Sequence, residues 1–147
     1  MIKFVHTNII TDDWKKLSEF YIQVFDCKPL LPERDLNGDW LAKATNIKNA
    51  HLKGIHLLLP GYENPPTLEI FEYDKNEPNL KSLANRKGFG HIAFRVSNVN
   101  DVLNKVLNHG GSKLGEVVET NIPNVGKLTF VYAKDIDGNI IEIQSWQ

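Results

Sequence analysis

Cysteine is nearly absent. Cys27 stands alone in 147 residues, so no internal disulfide can form and the core must hold without covalent staples. With no activating partner beside it, Cys27 is expected to be a packing residue. No apolar run approaches the roughly 20 residues of a membrane-spanning helix, and MIKFVHTNII lacks the apolar stretch and small-residue cleavage site of a secretion signal. Neither sign of charge dominates. Seventeen Lys and Arg against eighteen Asp and Glu leave a net charge of −1, which removes the electrostatic case for nucleic acid or an anionic membrane as partner. No local metal motif of the HExxH type occurs, and AKDIDGN is too short for an EF-hand loop. What is present is an ordinary globular mix, 41% hydrophobic and 24% charged, consistent with one domain over 1–147 and a cytoplasmic protein.

The chain repeats an order of elements. Residues 2–10 (IKFVHTNII) read as a strand. Thr11, Asp12 and Asp13 offer helix caps, and WKKLSEFYIQVF places Trp14, Leu17, Phe20, Tyr21, Val24 and Phe25 on one helical face. Pro29 and Pro32 exclude further helix, and strands are expected near 39–45, 51–59 and 67–73. A polar connector (YDKNEPNLKSLANRKG) follows. The order then recurs: a strand at 89–96, a helix over 98–109 with Val99, Val102, Leu103, Val106 and Leu107 as its stripe, and a stop at Gly110-Gly111. Strands near 113–120, 127–134 and 139–145 complete it. The fold class is therefore α+β, two βαβββ modules over about 1–75 and 88–147.

Overlaying the halves aligns four ionisable residues. The first strands carry His6 and His91, and the last strands carry Glu69 and Glu142. The intervals are 63 residues (6 to 69) and 51 residues (91 to 142), and the excess falls on the longer loops of the first half. A lone histidine in an apolar strand is ordinarily a hydrogen-bonded core residue. Strand alternation, however, turns His91, Glu69 and Glu142 away from Ile92, Phe94, Leu68, Ile70, Ile141 and Ile143, the side suited to helices. Only His6 is ambiguous, because Ile2, Phe4 and Ile10 share its parity. Two carboxylates and two imidazoles gathered without compensation would be costly, whereas a divalent cation balances them as an N₂O₂ set suited to Zn, Ni, Co, Mn or Fe(II).

In VHTNI followed by a helix with EFY, in TLEIFEY, in NRKGFGHIAFRVSNV and in FVYAKDIDGNIIEIQSW, the sequence resembles the vicinal oxygen chelate superfamily over nearly its whole length. That superfamily includes glyoxalase I, methylmalonyl-CoA epimerase, extradiol dioxygenases and the fosfomycin and bleomycin resistance proteins. The resemblance implies paired modules forming a curved, incomplete barrel around a metal site, with His6, Glu69, His91 and Glu142 as ligands. It also implies a homodimer. Extradiol dioxygenases and fosfomycin-type resistance proteins need no ligand at the Glu69 position, while glyoxalase I and the epimerase use a fourth. Glu69 thus favours a lactoylglutathione lyase-like isomerase or lyase using Zn, Ni, Co or Mn before Fe(II). Either Glu142 or Glu69 would serve as the base that moves a proton beside the carbonyl of a small α-hydroxycarbonyl or thiol adduct. The alternatives are an acyl-CoA epimerase, an extradiol-type dioxygenase and a non-catalytic antibiotic-binding protein.

Departures from glyoxalase I occur at Leu17, at Val24-Phe25-Asp26-Cys27 and at Arg95, and they weaken the case for glutathione as the thiol. The remaining candidates carry plainer expectations. His51 and His56 are read as core or solvated residues, His109 as a helix cap, and Asp135 and Asp137 as parts of a hairpin turn. Arg34, Arg86, Lys87 and Lys127 are surface charges available to a substrate carboxylate or phosphate. Trp40, Tyr132 and Trp146 are packing residues that could line a pocket.

Overall fold

The computed structural model describes all residues from Met1 to Gln147. It divides into two compact units, Met1–Ile22 with Asp26–Pro78, and Gln23–Phe25 with Asn79–Gln147. The first unit runs β1 (His6–Ile10), α1 (Trp14–Phe25), β2 (Lys28–Asn37), α2 (Asp39–Thr45), β3 (His51–Leu58) and β4 (Thr67–Tyr73). Its sheet has the order β1-β4-β3-β2, with β1 parallel to β4 and the other pairs antiparallel. The second unit runs β5 (Ile92–Arg95), α3 (Val99–Asn108), β6 (Ser112–Lys113), β7 (Val118–Ile122), β8 (Gly126–Lys134) and β9 (Ile140–Trp146). Here β5 is parallel to β9, the order is β5-β9-β8-β6, and β7 also pairs with β8. Neither sheet closes into a barrel, and the α+β class with two related modules is as expected.

α1 starts where the Asp13 carboxylate accepts the Lys16 amide at 3.0 Å, and Glu72 of β4 accepts the Trp14 amide at 3.0 Å. Its apolar stripe is buried, as is the sheet face made by Ile55, Leu57, Leu68 and Ile70. The last turn of α1 belongs to the second unit, where Phe25 stacks on Phe94 with ring centroids 4.1 Å apart. In that unit α3 packs Val99, Leu103 and Val106 over β8 and β9, beneath which Val131, Ala133, Ile141 and Ile143 are fully buried. Burial pushes the Cys27 thiol, with help from the Asp26 charge, up to about 12, so it is a packing residue.

Two expectations fail in the first unit. Residues 39–45 form helix α2, with Leu41 packed among Ala50, Leu52 and Phe71. The missing strand is β2, in spite of its prolines. Between Leu30 and Arg34 the register shifts, so Leu31, Pro32 and Glu33 stand opposite Ile55 alone and Pro32 need not donate to a regular ladder, while Pro29, still opposite Leu57, sits on an edge strand. In the second unit the expected strand at 113–120 is two pieces, β6 and β7, both paired with β8. The opening strands are also shorter than expected. β1 begins at His6 and β5 just after His91.

Candidate metal-binding and catalytic site

Residues opposite each other in a ladder point to the same face, so registers convert into rows of side chains. On the face of the first sheet away from the buried Leu57–Ile70 side, one row is His6, Thr67 and Leu58. The next is Asn8, Glu69, His56 and Leu30, and the next Ile10, Phe71, Gly54 and Arg34. This resolves the ambiguity at His6. Its parity mates lie outside the core, with Phe4 64% and Ile10 44% exposed.

His6 reaches diagonally to Glu69, Nε2 to Oε2 at 3.4 Å, and His56 meets the other oxygen, Nε2 to Oε1 at 3.2 Å. The Glu69 side chain is only 12% exposed. His56 also contacts the Thr67 hydroxyl through Nδ1 at 3.3 Å, and its ring packs edge-on to Phe71. Burial holds the His56 pKa below the ordinary histidine value despite the attraction of Glu69, with the Arg34 and His6 charges acting in the same direction as burial. His56 is thus a half-buried, hydrogen-bonded residue, as expected of it, and what the sequence did not indicate is that its partner is Glu69. Its signal was present as an alternate position in HLKGIHLL, but only the β3–β4 register reveals that it faces Glu69.

The second unit repeats this geometry. Ala93 pairs with Glu142, which sets His91 two residues short of it, as His6 is of Asn8, the partner of Glu69. His91 Nε2 lies 2.9 Å from Glu142 Oε2, and the carboxylate is 15% exposed. Opposite Glu142 on β8 stands Tyr132, hydrogen-bonded to it and 5.0 Å, ring to ring, from His91. Burial, then the Glu142 charge, raises the Tyr132 pKa, so the hydroxyl keeps its proton and donates.

No cationic Lys or Arg pairs with Glu69 or Glu142; imidazole Nε2 atoms are their only ion-pair partners. Ligand atoms about 2.1 Å from one ion, at octahedral to tetrahedral angles, lie about 3.0–3.4 Å from each other, which is the spacing within the His6–Glu69 and His91–Glu142 pairs. The donor chemistry and spacing of each pair fit a divalent metal. Within either unit, no three His, Cys, Asp or Glu side chains converge on a common point, so each module offers a pair.

The other candidates fall elsewhere. His51 bridges Asp35 through Nε2 at 2.7 Å and Asp74 through Nδ1 at 2.9 Å, on the opposite face of the first sheet. His109 caps α3, its Nδ1 on the Lys105 carbonyl at 2.8 Å. Asp135 organises its own turn by accepting from the amides of Asp137 and Asn139 and from the Asn139 side chain. Lys127 pairs with Glu119 at 2.9 Å, Trp146 donates to Gln144, and Trp40 is 58% exposed.

The family model of the Glyoxalase/Bleomycin resistance protein/Dioxygenase superfamily matches residues 3–143. The chain belongs to this superfamily. A glyoxalase family protein from Bacillus cereus shares the superfamily fold with a TM-score of 0.85 at 14% identity, over 99% of this chain and 95% of that one. A genomically encoded fosfomycin resistance protein from Listeria monocytogenes aligns with a TM-score of 0.63 at 17% identity, over 100% and 96%. A glyoxalase I variant from Zea mays aligns with a TM-score of 0.67 at 19% identity, over 97% of this chain but 44% of its own. No protein of curated function matches in sequence. No helix is long and apolar enough to cross a membrane.

Proposed function

We propose that this superfamily member is a metal-dependent lyase or isomerase of the glyoxalase I kind, acting on a small α-hydroxycarbonyl or thiol adduct. The observation that carries this reading is the repeated pair. In each module a histidine Nε2 stands beside a shielded carboxylate, buried at Glu69 and half-buried at Glu142, at the same stagger and free of competing cations. The proposed centre takes both pairs, His6 with Glu69 and His91 with Glu142, as ligands of one Zn, Ni, Co or Mn ion. When bound, such an ion supplies Lewis acidity that lowers the cost of negative charge developing on substrate oxygens.

The protein's own part is proton transfer and positioning. Glu69 has an imidazole on each oxygen, which suits a fixed ligand. Glu142 has one imidazole and the Tyr132 hydroxyl, which makes it the better base: it would take a proton from the carbon beside the carbonyl and return it to the adjacent carbon. Return to the opposite face of the same carbon would make the enzyme an acyl-CoA epimerase, so both substrate classes belong in the screen. A dioxygenase would have no use for Glu69. The working form is proposed to be a homodimer in the cytoplasm. The exposed Phe4 and Val5 before β1, and the single buried thiol, support these two points.

Elemental analysis of purified protein, followed by turnover of methylglyoxal–thiol adducts and methylmalonyl-CoA with each metal, tests the proposal. About one metal per chain is expected, lost in both His6→Ala and His91→Ala. Retention of metal in either variant would refute the shared centre.

A further inference from the structure

We propose that Arg34 forms an oxyanion subsite in the first module, receiving a carboxylate or phosphoryl group on the sheet face that carries His6, His56 and Glu69. As part of a substrate pocket this rests on the function proposed above; as an anion site it stands on the first module alone.

The irregular stretch Leu31-Pro32-Glu33 sets the position. By consuming three residues opposite one, it brings Arg34 opposite Gly54 and so onto the face of His56, which lies two residues further along β3. A Cβ on Gly54 would come within 2.4 Å of the Phe71 ring, so this point of the row holds no side chain of its own beside Arg34. Arg34 is half-buried and its neighbours on this face are largely apolar, with Leu30 and Leu36 along its own strand.

No carboxylate answers it. Arg34 is absent from every ion pair of the chain, and its one protein hydrogen bond goes to the Pro32 carbonyl. The adjacent Asp35 turns to the opposite face, where His51 holds it, and both oxygens of Glu69 already face imidazoles. A guanidinium stays charged at all working pH values and presents five donors in a planar fork matched to two oxygens of a carboxylate or phosphoryl group. Held half out of water beside apolar side chains and without a counter-ion, it is a site in which an incoming oxyanion supplies the missing charge.

The test is an NMR titration of metal-free protein at constant ionic strength with inorganic phosphate, with acetate and with chloride, reading Arg34 Nε–H in the native chain and the backbone amides of Gly54 and His56 in every variant. Saturable shifts are expected with phosphate, acetate or both, and not with chloride. Phosphate alone assigns a phosphoryl ligand; acetate as well admits a carboxylate. Arg34→Met should weaken binding about tenfold or more, and Arg34→Lys should restore part of it. Equal affinity in Arg34→Met, or no saturation by either oxyanion, overturns the subsite. Because these measurements use no metal, a failed metal centre and a failed anion site give separate results.

Discussion

The two modules place the same pair of groups at the same stagger, then differ in the third. Beside Glu69 stands His56; beside Glu142 stands Tyr132. The imidazole is kept neutral by burial and leaves Glu69 gripped at both oxygens, whereas the phenol donates a single hydrogen bond to Glu142. The comparison teaches how duplicated geometry can be divided between tasks. The ladder fixes where a carboxylate stands, and one residue on the neighbouring strand decides how firmly it is held. The sheets also differ at their arginines. Arg34 lies on the outer strand of the first sheet, and Arg95 on the opening strand of the second, opposite Gln144.

The sharpest way to break the comparison is to remove one negative charge at a time. Glu142→Gln should keep its metal and lose turnover by about 10²–10⁴-fold, while Glu69→Gln should lose metal affinity together with turnover. Elemental analysis beside kcat separates them, and the reverse pattern would exchange the two roles. Next in size, Leu68→Ala and Ile141→Ala truncate matched core residues that immediately precede the two glutamates. Each should cost about 2–5 kcal/mol in urea denaturation. A smaller asymmetry is expected one strand away. His56→Phe leaves a buried Glu69 oxygen unpaired and should cost about 1–3 kcal/mol, whereas Tyr132→Phe should cost about 0.5–1.5 kcal/mol. Equal losses would remove the distinction between a gripped and a lightly held carboxylate.

The smallest effect concerns pH. Hydrogen bonds to Asp35, then Asp74, raise the His51 pKa above its ordinary 6.5. A raised folded value means that this stabilisation is complete below the ordinary pKa and is lost as pH climbs through the raised one. The melting temperature should therefore decline slightly as pH rises above about 6.5, and His51→Asn should flatten that decline. The second module ties two of its strands with Lys127 and Glu119 instead. That pair holds the Glu119 pKa below its usual value, so its contribution stays constant at neutral pH and fades only in acid.

Much of this was legible in the chain because periodicity survives without knowledge of the fold. The α1 stripe from Trp14 to Phe25, the α3 stripe around Leu103, and the alternations in TLEIFEY and GNIIEIQSW all announce their elements. Overlay of the two halves pointed to the four candidate ligands, and alternation turned His91, Glu69 and Glu142 from the helix side while leaving His6 ambiguous. What was hidden depends on pairing between distant strands. A segment with Pro29 and Pro32 does not look like a ladder; its place at the sheet edge accommodates Pro29 opposite Leu57, and the bulge opposite Ile55 takes Pro32 out of register. Residues DWLAKAT were too short for a helical period to show, and the packing of Leu41 against Leu52 and Phe71 sustains that turn. His56 could not be matched to Glu69 from spacing, because the 12 residues between them (57–68) include a loop of irregular length.

The common stagger of histidine and glutamate also defines where the molecule tolerates change in length. Because each pair is fixed by two neighbouring parallel strands, the chain between those strands can grow or shrink without moving the pair, as intervals of 63 and 51 residues already show. An inserted residue inside β4 or β9 has the opposite outcome, since it swings the carboxylate to the helix side of the sheet. Grafting new loops is therefore the safe way to reshape what the protein accepts, and the parallel strand pairs β1–β4 and β5–β9 are the part to leave untouched.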